Sequence, residues 1–337
     1  MKKQIQYILN KGLEGQGLNE EEALLLLKNI DIGTSIYEDL LDKAHRLSQN
    51  TFKGFGEIHG QIGMNSGPCS KNCKFCFFAE INHDGSESYQ LKEQDIINQV
   101  KVLENLGVGS ISLMATADLE FSDYLAAGKL LSQHAKNTLL FGNWGDLNLE
   151  QAVTLKETGF TFYYHALRLR EGIDTEIRRK ERIETMKNVT RAGMILGSCL
   201  EPIGPEHTYE EIVDTLDLLK ELDVRFMATM KRIPTVNSCY ADTDPISDEE
   251  FAKITAVTRL YFGDQLLTMA AHEPSLLCLK AGANFLITES GTNPRDCEEE
   301  TENGRGLSYS RCQNMLEEAG YKNFKGDFLQ RYNDMKK

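Results

Sequence analysis

The sequence predicts an α/β protein, a (β/α)8 barrel of the TIM type preceded by helices. Two observations carry the prediction: short apolar runs recur about eight times along the chain, and amphipathic stretches of helical period separate them. A third keeps the barrel whole, since no Pro-rich linker, low-complexity tract or fixed-period repeat interrupts the alternation. The first 50 residues read as a helical extension and residues 51–337 as the barrel with its C-terminal segment. In the extension, apolar positions recur at helical spacing through Glu20–Lys28, with Asn19 as N-cap and acidic residues behind it.

The strands are expected at Ile62–Asn65, Ser110–Met114, Thr138–Phe141, Phe162–Leu167, Ile195–Leu200, Phe226–Met230, Leu266–Met269 and Phe285–Thr288. Helical patterns between and after them include Gln94–Leu106, Ile183–Ala192, Tyr209–Leu222, Asp248–Tyr261 and Ser308–Ala319. Repeated strand–helix units imply parallel strands joined by right-handed crossovers. Such barrels gather their chemistry at the C-terminal ends of the strands.

Charge narrows the function. A net charge of −14 argues against a nucleic-acid or anionic-membrane surface, because phosphate binding needs clustered Lys and Arg. No apolar run is long enough to span a bilayer, and the first residues lack the apolar core of a signal peptide, so a cytoplasmic location is expected. In a reducing compartment the eight cysteines point to metal or redox chemistry rather than disulfides.

The decisive segment is Ser66-Gly-Pro-Cys69-Ser-Lys-Asn-Cys73-Lys-Phe-Cys76, in the loop after the first expected strand. Three thiolates at C-x3-C-x2-C spacing can hold three irons of a cubane 4Fe-4S cluster and leave the fourth without a protein ligand. Zinc would require a fourth ligand, and the nearest later one, His83, is loosely spaced. This motif, with the aromatic Phe75 just before its third cysteine, resembles that of the radical S-adenosylmethionine (SAM) superfamily. The resemblance implies an oxygen-sensitive cluster whose open iron chelates SAM and whose electron cleaves it, giving a 5′-deoxyadenosyl radical that abstracts hydrogen. An electron donor such as flavodoxin or ferredoxin and a small-molecule substrate are the implied partners, and a homodimer is left open.

The N-terminal helices, the strand order and Leu279-Lys-Ala-Gly-Ala-Asn284 resemble the branch containing biotin synthase, the hydrogenase maturase HydE and methylornithine synthase. Gly282 equally suits a helix-ending turn. By position, the resemblance assigns SAM contacts to Phe75, to Met114, Ala115 and Thr116 after the second strand, and to Asn143 after the third. Arg168, Arg170 and Glu171 after the fourth strand, and Gly204 after the fifth, complete that set. Ordinary core packing, a solvated Arg–Glu cluster or a plain turn are the alternative readings for these residues. Substrate contacts are expected from Tyr163 and His165 on one face of the fourth strand, and from Arg232 and His272 at the ends of the sixth and seventh. The sequence departs from biotin synthases in having Tyr164 and Ala166 where they carry asparagines.

Of the remaining cysteines, Cys199, Cys239, Cys297 and Cys312 are expected to gather near the cluster loop and bind an auxiliary iron–sulfur cluster, whereas Cys278 reads as a buried small hydrophobe. The two-iron site of ordinary biotin synthases is absent, because Leu113, Leu140, Phe141 and His272 occupy its positions. The cysteine distribution instead resembles variant biotin synthases with an auxiliary four-iron cluster. Sulfur insertion, converting dethiobiotin to biotin, is therefore the leading expectation. A mutase or maturase without sacrificial sulfur, and a non-catalytic iron–sulfur protein, are the alternatives.

Overall fold

In the computed structural model, the structure describes all residues except 84, 86, 87, 295–300, 302, 303, 323, 325, 326, 336 and 337. Three helices open the chain: α1 (Lys2–Leu13), α2 (Glu20–Asn29) and α3 (Ser35–Thr51). The barrel then runs β1 (Glu57–Gly63), α4 (Glu93–Leu106), β2 (Ser110–Met114), α5 (Phe121–His134), β3 (Leu139–Asn143), α6 (Leu149–Thr158) and β4 (Phe162–Tyr164). It continues through α7 (Arg179–Arg191), β5 (Ile195–Ile203), α8 (Tyr209–Glu221), β6 (Phe226–Lys231) and α9 (Asp248–Phe262). It closes with β7 (Thr268–His272), α10 (Leu276–Lys280), β8 (Phe285–Gly291), α11 (Tyr309–Glu318) and α12 (Asp327–Met335). All eight strands are parallel, and β8 pairs with β1 to close the ring, so the expected (β/α)8 barrel is the fold.

Local chemistry explains the elements. Asn19 caps α2 as expected, accepting from the Glu22 amide at 2.9 Å while Glu22 returns a bond to the Asn19 amide. Gly282, just past α10, has φ +103°, and a Cβ there would lie 2.8 Å from Arg259 and 2.9 Å from the Ala44 carbonyl. The turn and close packing thus account for this glycine. The N-terminal helices pack over α8 and α9, where the buried Arg259 donates to Ser48 Oγ at 2.7 Å and Thr51 Oγ1 at 3.0 Å.

β5 and β8 begin as expected but run on to Ile203 and Gly291, and three other strands are shifted or cut short. β1 begins at Glu57 rather than Ile62, because Glu57, His59 and Gln61 alternate through the run, which therefore lacks an apolar signature. β4 stops at Tyr164, although the His165 amide still donates to the Gly197 carbonyl at 2.9 Å. β7 lies two to three residues later than its apolar run, ending at His272. Inside the ring, Phe141 stacks on Phe162 at 4.3 Å between centroids, and Phe226 lies 4.9 Å from Phe285. This aromatic layer fills the middle of the barrel and leaves the space above it, at the C-terminal rim, for a site.

Candidate active site at the barrel mouth

The loop after β1 folds back on itself. The Cys69 amide donates to the Phe78 carbonyl at 2.7 Å, the Glu80 amide donates to Cys69 at 3.1 Å, and the Cys76 amide donates to Cys73 at 2.9 Å. Gly67 is forced by this fold, since a Cβ there would sit 2.3 Å from the Phe78 carbonyl oxygen. Side chains hold the loop from within and from across the rim: Asn82, later in the same connection, donates to the Cys76 carbonyl at 2.8 Å, and Thr235, after β6, donates to the Phe75 carbonyl at 3.0 Å. Lys74 pairs with Asp174 at 2.9 Å, and the Lys74 amide donates to the Asp174 carbonyl. Cys69, Cys73 and Cys76 therefore face one cavity from one braced loop. Burial pushes all three thiols above their ordinary value, and in each the Arg168 charge opposes it.

The cavity also takes in Phe75, Met114, Ala115, Thr116, Asn143 and Arg168, so most of the contacts proposed for a nucleoside cofactor share one mouth. The segment after β2 is fixed by Asn65, which donates to Thr116 Oγ1 at 2.8 Å and accepts from the Thr116 amide at 2.9 Å. The Ala115 amide donates to the Asn143 carbonyl at 3.0 Å. Arg168 Nε lies 3.2 Å from Glu201 Oε1 without the alignment of a hydrogen bond, and its Nη1 is buried with no hydrogen-bond partner among the described residues. Tyr164 donates to Glu201 Oε2 at 2.8 Å, which fixes that carboxylate beneath the guanidinium.

Four expected residues lie elsewhere. Arg170 turns outward to Glu211 at 2.8 Å and to the Glu206 carbonyl, outside the cavity lining. Glu171 is buried beneath the rim, accepting from Thr175 Oγ1 at 2.6 Å and from the Arg168 amide at 3.0 Å. Gly204 lies outside the cavity lining, and a Cβ there would meet the carboxylate end of Glu206 at 2.4 Å. Tyr163 points to the helix layer and donates to the Gly145 carbonyl at 2.8 Å. Tyr164, on the opposite face, is the tyrosine that reaches the cavity. His165 reaches it too, because the chain leaves the strand after Tyr164 and period two no longer applies. His272 lines the cavity. Arg232 lines it as well, but its Nε and Nη2 are taken by Glu206 at 2.7 and 3.2 Å, its Nη1 by the Thr243 carbonyl at 3.4 Å, and it stacks on Tyr240 at 4.6 Å.

The remaining cysteines separate. Cys199 lies inside the barrel with Phe141, Phe162 and Phe226. Cys312 lies on the outer side of the wall in α11, its Sγ 3.6 Å from the Ile287 carbonyl oxygen. The expected gathering therefore does not join Cys199 with Cys312, because the face of α11 that carries Cys312 packs on the outside of β8. Cys239 is exposed in the loop after β6, Cys278 is a buried core residue as expected, and Cys297 lies outside the described residues.

Two polar groups of the interior escaped sequence reasoning. His59, from β1, hydrogen-bonds Ser110 Oγ at 2.7 Å and Ser112 Oγ at 2.9 Å beside Phe141. Asp146 and Arg182 clasp His165, Asp146 at 3.0 Å and Arg182 Nη1 at 3.0 Å from Nε2. The only sequence signal for the first was a histidine alternating with two other polar residues ahead of an apolar run. Burial, then the nearby His272, holds His59 at about 3, well below its ordinary value. Burial, then the Arg182 charge, holds His165 at about 4. For Asp146, burial works upward, but the His165 hydrogen bond and Arg182 outweigh it and keep its carboxyl below the usual range.

These shifts predict acid sensitivity. Both imidazoles resist protonation in the folded chain, so the unfolded state takes up protons first as pH falls below about 6.5, and each costs about 2 kcal/mol by pH 5. Asp146 contributes only below the ordinary carboxylate range, outside that window. Urea midpoints should fall from pH 7 to pH 5, and His59→Gln should flatten the slope by about half. An unchanged slope in that variant would contradict the assignment to His59.

The family profile described as Radical SAM superfamily matches residues 66–238, just over half of the chain, from the start of the cysteine loop to the loop after β6. The chain is 29% identical over 310 residues to a biotin synthase of Rippkaea orientalis, covering 85% of this chain and 83% of that one. It is 28% identical over 286 residues to a biotin synthase of Clostridioides difficile, covering 82% and 87%. Among solved structures, a methylornithine synthase superposes with a TM-score of 0.80 at 17% identity, over 97% of this chain and 99% of that one. HydG, a maturase of the FeFe-hydrogenase, gives 0.77 at 16% identity over 90% and 74%. The two structures support the barrel alone. With the cysteine loop at the mouth of that barrel and the family profile running through it, the chain belongs to the radical SAM superfamily.

Proposed function

We propose that the chain uses SAM to abstract hydrogen from a small substrate enclosed in the barrel, and that Cys69, Cys73 and Cys76 hold the 4Fe-4S cluster. The observation that carries the reading is the shared cavity: three thiols of one braced loop, the Met114–Thr116 segment and Arg168 face the same space above the aromatic layer. The donor set suits the group, since three soft thiolates leave one iron open. The buried Nη1 of Arg168 offers an unmatched donor for an anionic group beside it. When bound, the cluster supplies one electron for reductive cleavage of SAM to methionine and a 5′-deoxyadenosyl radical. The protein's part is placement. Phe75 provides an aromatic edge for adenine, the backbone of Met114–Thr116 and Asn143 meets the methionine end, and Arg168 meets a carboxylate. Tyr164, Glu201, His165 and His272 face the substrate space. An external one-electron donor is required.

For the substrate, sulfur insertion into dethiobiotin is the leading reading, supported by the curated relatives named biotin synthase across more than four fifths of the chain. Cys199, Cys239 and Cys297 are the candidates for an auxiliary cluster. A rearrangement without sacrificial sulfur is the second reading, favoured by the position of Cys312 outside the barrel wall and by Tyr164 in the substrate space. Anaerobic reconstitution separates them: about eight irons per chain with biotin formed from dethiobiotin is the expected result, and about four irons with no biotin would replace it with the second reading.

A further inference from the structure

Resting on the assignment of Cys69 as a cluster ligand, we infer that Asp118 is a positioning residue that locks the cysteine loop to the segment after β2. Asp118 stands in that segment, directly beyond Met114–Ala117, which lines the cavity. Its carboxylate receives both donors of a single residue in the cysteine loop: the Ser70 amide binds Oδ2, and Ser70 Oγ binds Oδ1 at 2.7 Å. Ser70 follows Cys69. Cys69 and Ala117, the residues next to Ser70 and Asp118, both line the cavity. The two segments therefore meet at a two-point clamp whose neighbours are a cluster-side thiol on one strand end and the proposed methionine-binding backbone on the other.

The other tethers of the cysteine loop come from different directions. Lys74 and Lys71 attach it to residues 174 and 176, Thr235 attaches it to the loop after β6, and Asn82 and Asn72 attach it to itself. Among the described residues, no other side chain of the segment 114–118 bonds the loop between Cys69 and Cys76. Asp118 and Ser70 are both exposed, so the clamp contributes little to the core and its cost is not repaid by burial. Its consequence is geometric. Without it, the distance between Cys69 and the backbone that receives the methionine end is set by the Asn65–Thr116 bonds four residues before Cys69 and by the β1–β2 pairing below them, and misplacement of reacting groups is expensive. Asp118 touches neither substrate nor cofactor in this role and acts through Ser70 and Ala117.

The test uses the full chain with Asp118→Ala, Asp118→Asn and Ser70→Ala. In cluster-free protein, tryptic cleavage after Lys71 and Lys74, followed by mass spectrometry, reads the looseness of the loop directly. In reconstituted protein, the SAM dissociation constant and the SAM-induced change in the electron paramagnetic resonance spectrum read the alignment of the two segments. Asp118→Ala should raise both the cleavage rate and the SAM dissociation constant about tenfold and diminish the spectral change, with the melting temperature unchanged. Asp118→Asn, which keeps an acceptor for Ser70, should recover most of each, and Ser70→Ala should add nothing to Asp118→Ala. Wild-type cleavage and SAM affinity in Asp118→Ala would overturn the clamp. A wild-type chain that takes up no iron would instead overturn the cluster assignment, while the cleavage comparison would still decide whether Asp118 holds the loop.

Discussion

Replacing Cys73 with alanine is expected to reduce SAM cleavage under dithionite to background, a loss of at least about a thousandfold, with the barrel still folded. Cys73 lies in a loop braced by backbone bonds and by Asn82, Thr235 and Asp174, none of which involves its sulfur. Loss of one small buried side chain costs about 1–2 kcal/mol, too little to unfold a barrel of this size. The same outcome is expected for Cys69 and Cys76, because three ligands act as a unit and two cannot fix the orientation of the open iron. Circular dichroism and iron content measured alongside separate a lost cluster from a lost fold. Wild-type SAM cleavage in any of the three variants would refute the ligand assignment.

The largest effect on stability is expected at Arg182. Its guanidinium is buried between Asp146 at 3.6 Å, Glu171 at 3.7 Å and His165 at 3.0 Å. Arg182→Met keeps most of the volume but leaves two carboxylates without their cation, at a cost of about 3–5 kcal/mol near neutral pH. Glu171 and Asp146 belong to the segments after β4 and β3, so the loss should also release His165 and the Arg168 turn from the cavity wall. Denaturant unfolding gives the first effect and SAM affinity the second. A destabilisation below about 1 kcal/mol would show that solvent already compensates these charges.

The barrel was legible because its strands alternate with helices of clear period, and β2, from Ser110 to Met114, falls where its apolar run predicts. β1 was misplaced for a reason that bears on function. Its inward residues, Glu57, His59 and Gln61, are polar, the last two lining the cavity, and a strand with polar inward residues loses the hydrophobic signal that would reveal it. The cysteine loop was legible because its three cysteines lie within eight residues of one another, whereas Arg168, Glu201 and Tyr164 meet only through the pairing of β4 with β5. The face assignment on β4 failed for Tyr163 because period two fixes which residues share a face but not which face is the interior. Arg170 and Arg232 show a further limit: each lies at the rim as expected, yet an acidic residue from a neighbouring segment, Glu211 or Glu206, already holds it. Cys199 and Cys312 fall on opposite sides of one wall because sequence order alone does not distinguish the inside of β5 from the helix layer over β8.

The most direct measurement is 5′-deoxyadenosine formed from SAM by the anaerobically reconstituted wild-type chain under dithionite, quantified against bound iron. About four irons or more per chain, with 5′-deoxyadenosine produced and lost together with the iron in Cys69→Ala, is the predicted result. Iron-loaded protein that binds SAM but forms no 5′-deoxyadenosine, with or without substrate, would contradict the assignment of Cys69, Cys73 and Cys76 to a cluster that cleaves SAM.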